Sequence, residues 1–247
     1  MSIPFCRIGS KRRIVNKVLN RFPSNYEEMI YVEPFFGSGS IFFNKKQSQK
    51  EVINDLDKDL MNSYKNIKKI KTIPDSYPEL ENIKTDNELT AFYKSKSNNP
   101  FQQFYKDVVK YCSTFGNKGT NNAYVDKKPS LLKSKYIPFY QERLKNAVIH
   151  SKDYKGIIKQ YDSVNTLFYL DPPYEDATGL YKNSGMNFEE LQDILKNIKG
   201  KFVLSLNDSS KIRRLFKDFT IKGFTHEGVG NKNIGVSSRK EVIISNF

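Results

Sequence analysis

One apolar run with an abrupt polar end constrains this sequence more than any other feature. Thr166–Leu170 has the composition of a buried strand, and it runs directly into Asp171-Pro172-Pro173-Tyr174. Adjacent prolines fix φ and remove backbone donors, so the chain turns there and leaves carbonyl acceptors beside the Asp171 carboxylate. The pattern therefore predicts a strand that delivers a carboxylate, a rigid turn and an aromatic ring to the carboxyl edge of a sheet.

Two earlier apolar runs also end in residues that can face a ligand. Residues 29–32 enter Glu33-Pro34-Phe35-Phe36-Gly37-Ser38-Gly39-Ser40, and residues 52–53 end at Asn54-Asp55. The first segment predicts a strand, a glycine turn and a short helix over 41–43. Because this order is βαβ-like, it favours a parallel sheet. Further strands are predicted at 147–150, 202–206 and 242–245, and helices at 11–22, 59–70, 188–198 and 209–216.

The middle of the chain differs in character from its two ends. From about residue 74 to 140, Pro, Asn, Ser and Lys are frequent, and aromatic residues are scattered through polar sequence. Residues 116–122 form a dense turn signal. Because the sheet pattern returns afterwards, we predict one α/β domain formed by 1–71 and 141–247. Residues 72–140 are predicted to form an inserted, mainly helical module.

The charge balance points to a polyanionic partner. Among 247 residues, 41 Lys+Arg stand against 27 Asp+Glu, which gives a formal net charge of +14. Nucleic acid is the simplest partner for such a chain, although biased codon usage could also produce a Lys-rich composition. The apolar runs are too short for a membrane span, and no signal peptide is visible. We therefore expect a cytoplasmic protein that is not secreted and binds no membrane.

Metal and common nucleotide motifs are incomplete. The two cysteines lack the CxxC spacing of a zinc site, so no metal is expected. Phe42 stands where the third glycine of a dinucleotide fingerprint would be, and no P-loop Gly-Lys pair follows. Asp55 suits ribose hydroxyls, and it also begins an alternating acidic series like that of a calcium loop. Leu60 and Asn66, however, occupy the positions of the required Gly and Glu.

The Asp171–Tyr174 tetrapeptide can recognise an amino group on a base. A carboxylate and a free carbonyl are two acceptors, and a planar exocyclic amino group has two N–H donors. The Tyr174 ring can stack on the base that carries it. The alternative is a rigid turn that only ends a strand. His150 and His226 show no nucleophile or metal spacing, so we interpret both as structural.

These residues carry a family resemblance. Asp171-Pro172-Pro173-Tyr174 resembles the catalytic motif of amino-directed, S-adenosylmethionine-dependent DNA methyltransferases, and residues 33–40 resemble their methionine-binding loop. The motif order resembles the Dam-type DNA adenine N6-methyltransferase family, and residues 4–11, 54–60, 151–154 and 240–246 resemble its other motifs. The resemblance is weakest over about 72–140. Gly9-Ser10 replaces a Gly-Gly pair, and Arg7 stands where many relatives have Trp.

The resemblance implies an α/β, Rossmann-like methyltransferase fold, with a mostly parallel sheet and helices on both faces. It implies methyl transfer from S-adenosylmethionine to N6 of an adenine flipped out of double-stranded DNA. Asp171, Pro172, Pro173 and Tyr174 would be the catalytic residues. The implied cofactor residues are Arg7, Lys11, Glu33, Phe35, Phe36, Gly37, Ser38, Gly39, Ser40, Asp55, Asp153, Tyr154 and Asp171.

The insert would then recognise the target, with phosphate contacts for affinity and base contacts for specificity. The candidate nucleic-acid contacts are Phe115, Asn117, Lys118, Asn121, Tyr124, Lys127 and Lys128, with Lys133 and Lys135 as further phosphate contacts. The alternative, which we favour for most of its aromatic residues, is that they form the core of the insert. Such methyltransferases also imply a partner restriction endonuclease. Alternative functions are cytosine N4 methylation, or DNA binding without catalysis on the same fold.

Overall fold

The computed structural model describes residues 3–7, 9–114, 122–174, 186–227 and 238–247. The chain forms two compact units, each assembled from separate stretches of sequence. The first consists of Met1–Ser10, Gly37–Asn44 and Asp57–Ser151. The second consists of Lys11–Phe36, Lys45–Leu56 and Lys152–Phe247. The predicted division at 72–140 follows different boundaries and stays a prediction.

Strands and helices alternate through much of the chain. The described strands are β1 (Ile30–Glu33), β2 (Lys50–Asn54), β3 (Val148–His150), β4 (Thr166–Leu170), β5 (Lys201–Asn207), β6 (Thr220–Glu227) and β7 (Ser238–Ser245). The described α-helices are α1 (Val15–Leu19), α2 (Lys58–Ile67), α3 (Pro78–Glu81), α4 (Asp86–Lys94), α5 (Pro100–Cys112), α6 (Ile137–Leu144), α7 (Tyr154–Tyr161), α8 (Phe188–Lys196) and α9 (Ser210–Leu215).

The second unit is built on a mostly parallel sheet in the order β2-β1-β4-β5-β7-β6. β1 pairs in parallel with β2 and β4, and β4 pairs in parallel with β5. β7 lies antiparallel between β5 and β6. This arrangement confirms the predicted α/β fold with a mostly parallel sheet, whereas an inserted helical module is not confirmed.

The burial of the strands explains why their sequences are apolar without alternation. All five residues of β4 are buried, and so are the five central residues of β5. Strands covered on both faces have this pattern in parallel sheets. The register places Val32 beside Val52 and Phe168, so β1, β2 and β4 end at the same edge. Asp171 follows β4 at that edge, as the sequence predicts.

A buried ion pair supports the start of β2. The Lys45 ammonium lies 2.6 Å from a carboxylate oxygen of Glu51 and donates to the Ser48 hydroxyl at 2.9 Å. The same ammonium lies 4.1 Å from the centre of the Tyr31 ring. Both charged side chains are almost completely buried. Removing either partner alone would leave an uncompensated buried charge, so the pair fixes this corner of the unit.

The first unit has an aromatic core. Phe5 packs its ring against Tyr64 at 5.0 Å and against Tyr111 at 5.7 Å between ring centres. Eight aromatic residues of the predicted insert are buried: Tyr77, Phe92, Tyr93, Phe101, Phe104, Tyr105, Tyr111 and Tyr140. These rings therefore lie in the core of the first unit, which also includes Phe5 and Tyr64 from outside the predicted insert. At the start of α4 the Thr85 and Glu88 side chains form a capping box, which satisfies two backbone donors.

Two predicted helices differ from the structure. The helix expected over 11–22 is a short 3-10 turn, Lys11–Arg13, followed by α1; Ile14 between them has φ −115° and ψ 10°. Adjacent β-branched residues at 14 and 15 disfavour a longer helix. Residues 41–43 form a turn instead of an α-helix: the Phe43 N–H donates to the Gly39 carbonyl at 3.0 Å, but the next bond, from the Asn44 N–H to the Ile41 carbonyl, spans only three residues. Strand β6 and helix α7 are not predicted from the sequence.

Candidate functional site

The Asp171 carboxylate is the centre of a polar cluster in the second unit. The Lys11 ammonium lies 2.8 Å from Asp171 Oδ1, and the Ser205 hydroxyl donates to the same oxygen at 3.0 Å. Ser205 also shares a hydrogen bond with the Tyr169 hydroxyl at 3.0 Å. Ser205 lies on β5, in the strand next to β4, so the parallel register brings it beside the end of β4. No sequence motif points to this residue.

Burial and charge oppose each other at Asp171. Burial raises the pKa of the carboxyl group above its ordinary value, and the nearby Glu241 charge raises it further. The Lys11 charge and the hydrogen bonds from Lys11 and Ser205 lower the pKa, but the net shift is upward. Lys11 is thus the principal group that stabilises the charged form of Asp171.

Tyr174 shares Lys11 with Asp171. The Lys11 ammonium lies 4.6 Å from the centre of the Tyr174 ring, which is a cation–π distance. Burial raises the pKa of the Tyr174 hydroxyl well above its usual value, and the charges of Asp171 and Glu241 add to the effect. The phenol therefore stays neutral, and one face of its ring meets a cation. The other ring face is the one on which a base could stack.

Glu33 ends β1 as a buried carboxyl group. The Tyr31 hydroxyl donates to Glu33 Oε2 at 2.6 Å. Burial raises the pKa of Glu33 well above its usual range; the Tyr31 hydrogen bond opposes this effect, and the Asp171 charge adds to it. The charge of Asp171 acts on Glu33, so the two carboxyl groups belong to one polar region of the second unit. The role of Glu33 as a cofactor contact stays a prediction.

Asn54 connects three segments of the second unit. Its amide nitrogen donates to the carbonyls of Pro34 and Lys152 at 2.9 and 3.0 Å, and its amide oxygen accepts from the Lys152 N–H at 2.9 Å. The side chain is 1% exposed. It therefore fixes the chain just after β1 and just before Asp153, at the end of β2 where Asp55 follows. Its central position was not predicted.

The Asp153-Tyr154 pair begins α7. Asp153 is exposed, and its Oδ1 accepts from the Lys155 N–H at 2.9 Å as the helix cap. The Tyr154 ring packs against Phe35 with 5.1 Å between ring centres. The Tyr154 hydroxyl is buried and, among the described residues, has no hydrogen-bond partner. Burial and the charges of Glu190 and Asp153 raise its pKa to about 12.

The glycine turn lies in the first unit and is held by serine hydroxyls. Gly37 and Gly39 have φ values of +48° and +67°, in the region that favours glycine. The Ser10 and Ser40 hydroxyls are 2.7 Å apart, and the Ser38 hydroxyl lies within 3.2 Å of both. Ser10, which replaces a glycine of the family motif, thus helps to close the turn. A Cβ atom at Gly37 would meet no atom within 4 Å.

Arg7 has protein partners within the first unit. Its guanidinium lies 3.1 Å from Asp57 Oδ2 and 5.6 Å from the centre of the Tyr111 ring. Asp57 in turn caps α2 by accepting from the Leu60 N–H. At the position where many relatives have Trp, Arg7 thus makes a charge contact with a protein carboxylate. A cofactor contact by Arg7 stays a prediction.

The predicted nucleic-acid contacts divide into three groups. Phe115, Asn117, Lys118 and Asn121 lie outside the described residues. Tyr124 and the exposed Lys127 form a pair, with the ammonium 5.1 Å from the ring centre. Lys128 donates to the carbonyls of Leu80, Glu81 and Ile83 at 3.3, 3.0 and 2.8 Å.

These three hydrogen bonds favour a structural role for Lys128 over the predicted phosphate contact. Its ammonium has three N–H donors, and the carbonyls at the C-terminal end of α3 offer three acceptors for them. Lys133 is similarly engaged, with its ammonium 3.3 Å from the Pro4 carbonyl and 3.5 Å from Cys112 Sγ. Both lysines therefore hold the first unit together, and we remove them from the proposed phosphate contacts.

The described ranges contain neither a cluster of metal ligands nor a membrane-spanning helix. No group of three or more His, Cys, Asp or Glu residues there is placed to hold a metal ion. No helix in those ranges has the length and apolar character that a membrane span requires.

One family model covers most of the chain, and two curated proteins are similar to it in sequence. A family model described as D12 class N6 adenine-specific DNA methyltransferase matches residues 8–226. Type II methyltransferase M1.LlaDCHI from Lactococcus lactis subsp. cremoris is 27% identical, over 99% of this chain and 95% of its own. Type II methyltransferase M.MjaIII from Methanocaldococcus jannaschii is 24% identical, over 70% and 69%. Among solved structures, a putative methyltransferase yhhF from Escherichia coli has a TM-score of 0.45 at 9% identity, covering 99% of this chain and 90% of that one.

Replacing Asn54 should lower the free energy of unfolding more than the small size of this side chain suggests. Asn54→Ala removes three buried hydrogen bonds and should lower the free energy of unfolding by about 3 kcal/mol. Asn54→Asp should cost more, because a carboxylate would face two carbonyl oxygens. The matched control is Asn197→Ala, which removes one exposed hydrogen bond to Asp193 and should cost less than about 1 kcal/mol. Urea unfolding measures all three; equal midpoints for Asn54→Ala and the control would refute the connecting role.

Proposed function

Because this chain belongs to the D12 class N6 adenine-specific DNA methyltransferase family, we propose that it methylates N6 of an adenine flipped out of double-stranded DNA. Adenine methylation and a DNA substrate follow from the family. Membership of a methyltransferase family also implies S-adenosylmethionine as the methyl donor.

The observation that carries the proposal is the cluster at the end of β4. Asp171 is held by Lys11 and Ser205 beside the half-buried Tyr174 ring. A fixed carboxylate, a proline carbonyl and one available ring face match the N–H donors and the flat surface of an adenine amino group. The arrangement needs no movement of Asp171 before it can accept a hydrogen bond, and such preorganisation is the usual source of enzymatic acceleration.

The reaction follows from these acceptors. Bound S-adenosylmethionine supplies a sulfonium methyl group, which is electrophilic. Asp171 and the Pro172 carbonyl accept the two amino hydrogens, draw the nitrogen away from planarity and expose its lone pair. The cofactor would supply its methyl group to that lone pair, so the contribution of Asp171 and Pro172 is to position the amino nitrogen for the transfer. The extra proton leaves the methylated nitrogen afterwards, and the raised pKa of Asp171 makes that carboxylate a better acceptor for it.

The residues present fit the cofactor in their chemistry. Phe35 and Tyr154 supply packed rings for its adenine, and the unpartnered Tyr154 hydroxyl supplies a donor. Asp55 supplies a carboxylate for the ribose hydroxyls, and Asp153 retains a second oxygen beyond the one that caps α7. Open space at Gly37 suits a backbone that approaches a ligand closely. Phe36, Gly39, Ser38 and Ser40 remain assigned to the methionine moiety by resemblance.

Lys11 serves the proposed site in two ways. Its charge keeps Asp171 available as an anionic acceptor, and its position over Tyr174 fixes one ring face. A methionine carboxylate would be a second acceptor for its remaining N–H donors, as the family resemblance implies. An ammonium has three donors, so one lysine can serve the base site and the cofactor together.

Target recognition is proposed for residues 72–140, with Tyr124 and Lys127 as the described candidates. The exposed ammonium of Lys127 can meet a phosphate, whereas the aromatic residues of this segment are largely core. A DNA substrate places the enzyme in the cytoplasm, or wherever the DNA of its source resides. The type II relatives favour a companion restriction endonuclease as the partner in its source.

Incubation of the purified protein with plasmid DNA and methyl-labelled S-adenosylmethionine tests the function. Nucleoside mass spectrometry should find the label in N6-methyladenine. Asp171→Ala should abolish the label while cofactor binding, measured by calorimetry, changes less than about threefold. Label in N4-methylcytosine would support the alternative amino chemistry. Binding of DNA and cofactor without turnover would support a non-catalytic protein.

The neighbouring lysines 127 and 128 offer a matched test of DNA binding. Lys127→Gln should weaken binding to duplex DNA and reduce the slope of log K against log[salt] by about 1, because one phosphate contact is lost. Lys128→Gln should leave that slope unchanged and instead lower the free energy of unfolding by about 1–3 kcal/mol, since carbonyls lose their donor. Fluorescence anisotropy across a salt series measures the slopes. Equal slopes for Lys127→Gln and the wild type would remove Lys127 from the interface.

A further inference from the structure

A second buried carboxylate lies close to the catalytic cluster. Glu241 belongs to β7, where it pairs in register with Asn207 of β5 and Phe224 of β6. The residue is 5% exposed. Its Oε1 lies 3.2 Å from His226 Nε2. Its Oε2 is buried and has no hydrogen-bond partner among the described residues.

The Tyr174 hydroxyl is the complementary group. It is buried as well, and none of the described residues meets it in full hydrogen-bond geometry. A hydrogen-bonding interaction with Glu241 nevertheless contributes to the raised pKa of this hydroxyl. The Tyr174 hydroxyl is a donor and Glu241 Oε2 is an acceptor, and both residues belong to the second unit. A buried polar atom without a partner costs free energy, so pairing two such atoms relieves both costs. The two groups are also electrostatically close, because the Glu241 charge raises the pKa of Tyr174 and of Asp171.

We propose that Glu241 is a positioning residue that accepts a hydrogen bond from the Tyr174 hydroxyl and thereby fixes the ring on which the flipped adenine stacks. The proposal rests on the proposed function, because it requires that a base uses the Tyr174 ring. Lys11 lies over one face of that ring, and Glu241 holds its hydroxyl edge. A ring held at a face and at an edge has lost the freedom to turn about its side-chain bonds.

The strand order explains how a residue so late in the chain reaches the site. β7 is inserted antiparallel next to β5, and its register places Glu241 beside Asn207 at the end of β5. β5 also carries Ser205, which donates to Asp171. One strand end therefore supports the carboxylate of the catalytic motif while its neighbour supports the ring. His226 Nε2 lies 3.2 Å from the other Glu241 oxygen, Oε1, so this contact leaves Oε2 available for Tyr174.

A double-mutant cycle on the full protein tests this role. The variants are Tyr174→Phe, which keeps the ring, Glu241→Met, which keeps the side-chain length, and the double variant. Each single variant should lower kcat for plasmid methylation about tenfold, because one oriented hydrogen bond is lost. The double variant should lose no more than either single variant, because both remove the same bond. The dissociation constant for S-adenosylmethionine should stay within about twofold of the wild type.

Two further variants keep the result interpretable. Glu241→Gln retains an acceptor oxygen and should keep kcat within about threefold of the wild type. Glu241→Asp retains the charge with a shorter reach, so it should behave like Glu241→Met and replaces that variant if Glu241→Met fails to fold. The matched control is Glu189→Gln, which removes an exposed carboxylate paired with Lys211 at 3.7 Å. Combined with Tyr174→Phe, this control should show no coupling.

Three outcomes would contradict the inference. Multiplying losses in the Tyr174→Phe/Glu241→Met double variant would show that the two residues act independently. If Glu241→Met lowered cofactor affinity and thermal stability along with kcat, the loss would be a general structural one, and Glu241 would be assigned to support of His226 alone. Loss of activity in Glu241→Gln as large as in Glu241→Met would exclude the hydrogen bond. A wild-type protein that leaves adenine unmodified would instead overturn the proposed function itself.

Discussion

The ion pair between Lys11 and Asp171 is the interaction on which the polar cluster at the end of β4 depends. A carboxylate placed at the carboxyl edge of a buried sheet loses hydration, and the nearby carboxyl group of Glu241 raises its pKa further. Lys11 opposes both effects at 2.8 Å. The same ammonium lies over Tyr174, so one cation sets the charge of the acceptor and one face of the stacking ring.

The sheet brings these charged groups together with the donors that stabilise them. Strands β1, β4 and β5 are buried almost throughout, and their parallel register brings Glu33, Asp171 and Ser205 to one edge. Each carboxyl group there has a donor: Tyr31 for Glu33, and Lys11 with Ser205 for Asp171. The antiparallel β7 adds Glu241 to the same cluster. Its Oε2 has no hydrogen-bond partner among the described residues, and the Tyr174 hydroxyl can supply the missing donor.

Local patterns predicted the parts of the site that lie within one segment. Strand β4 and the turn after it are where the apolar run and the two prolines place them, because strand burial and proline geometry are local properties. Ser205, Asn54 and Glu241 were missed, since their roles arise from strand pairing and from contacts between distant segments. Lys127 and Lys128 are indistinguishable by composition, and only the carbonyls after α3 separate them. The serine at position 10 looked like a mild departure from a glycine pair, but its hydroxyl helps to close the glycine turn.

The pH dependence of kcat in Lys11→Met measures the central claim most directly. If Lys11 keeps Asp171 ionised, its removal leaves the effect of burial unopposed and raises the pKa of that carboxyl group. The acid limb of the kcat profile, recorded at saturating cofactor and DNA, should then move to higher pH by about one unit or more. Lys159→Met, at an exposed position on α7, is the control and should leave the limb in place. An acid limb in Lys11→Met that coincides with that of the wild type would contradict the account.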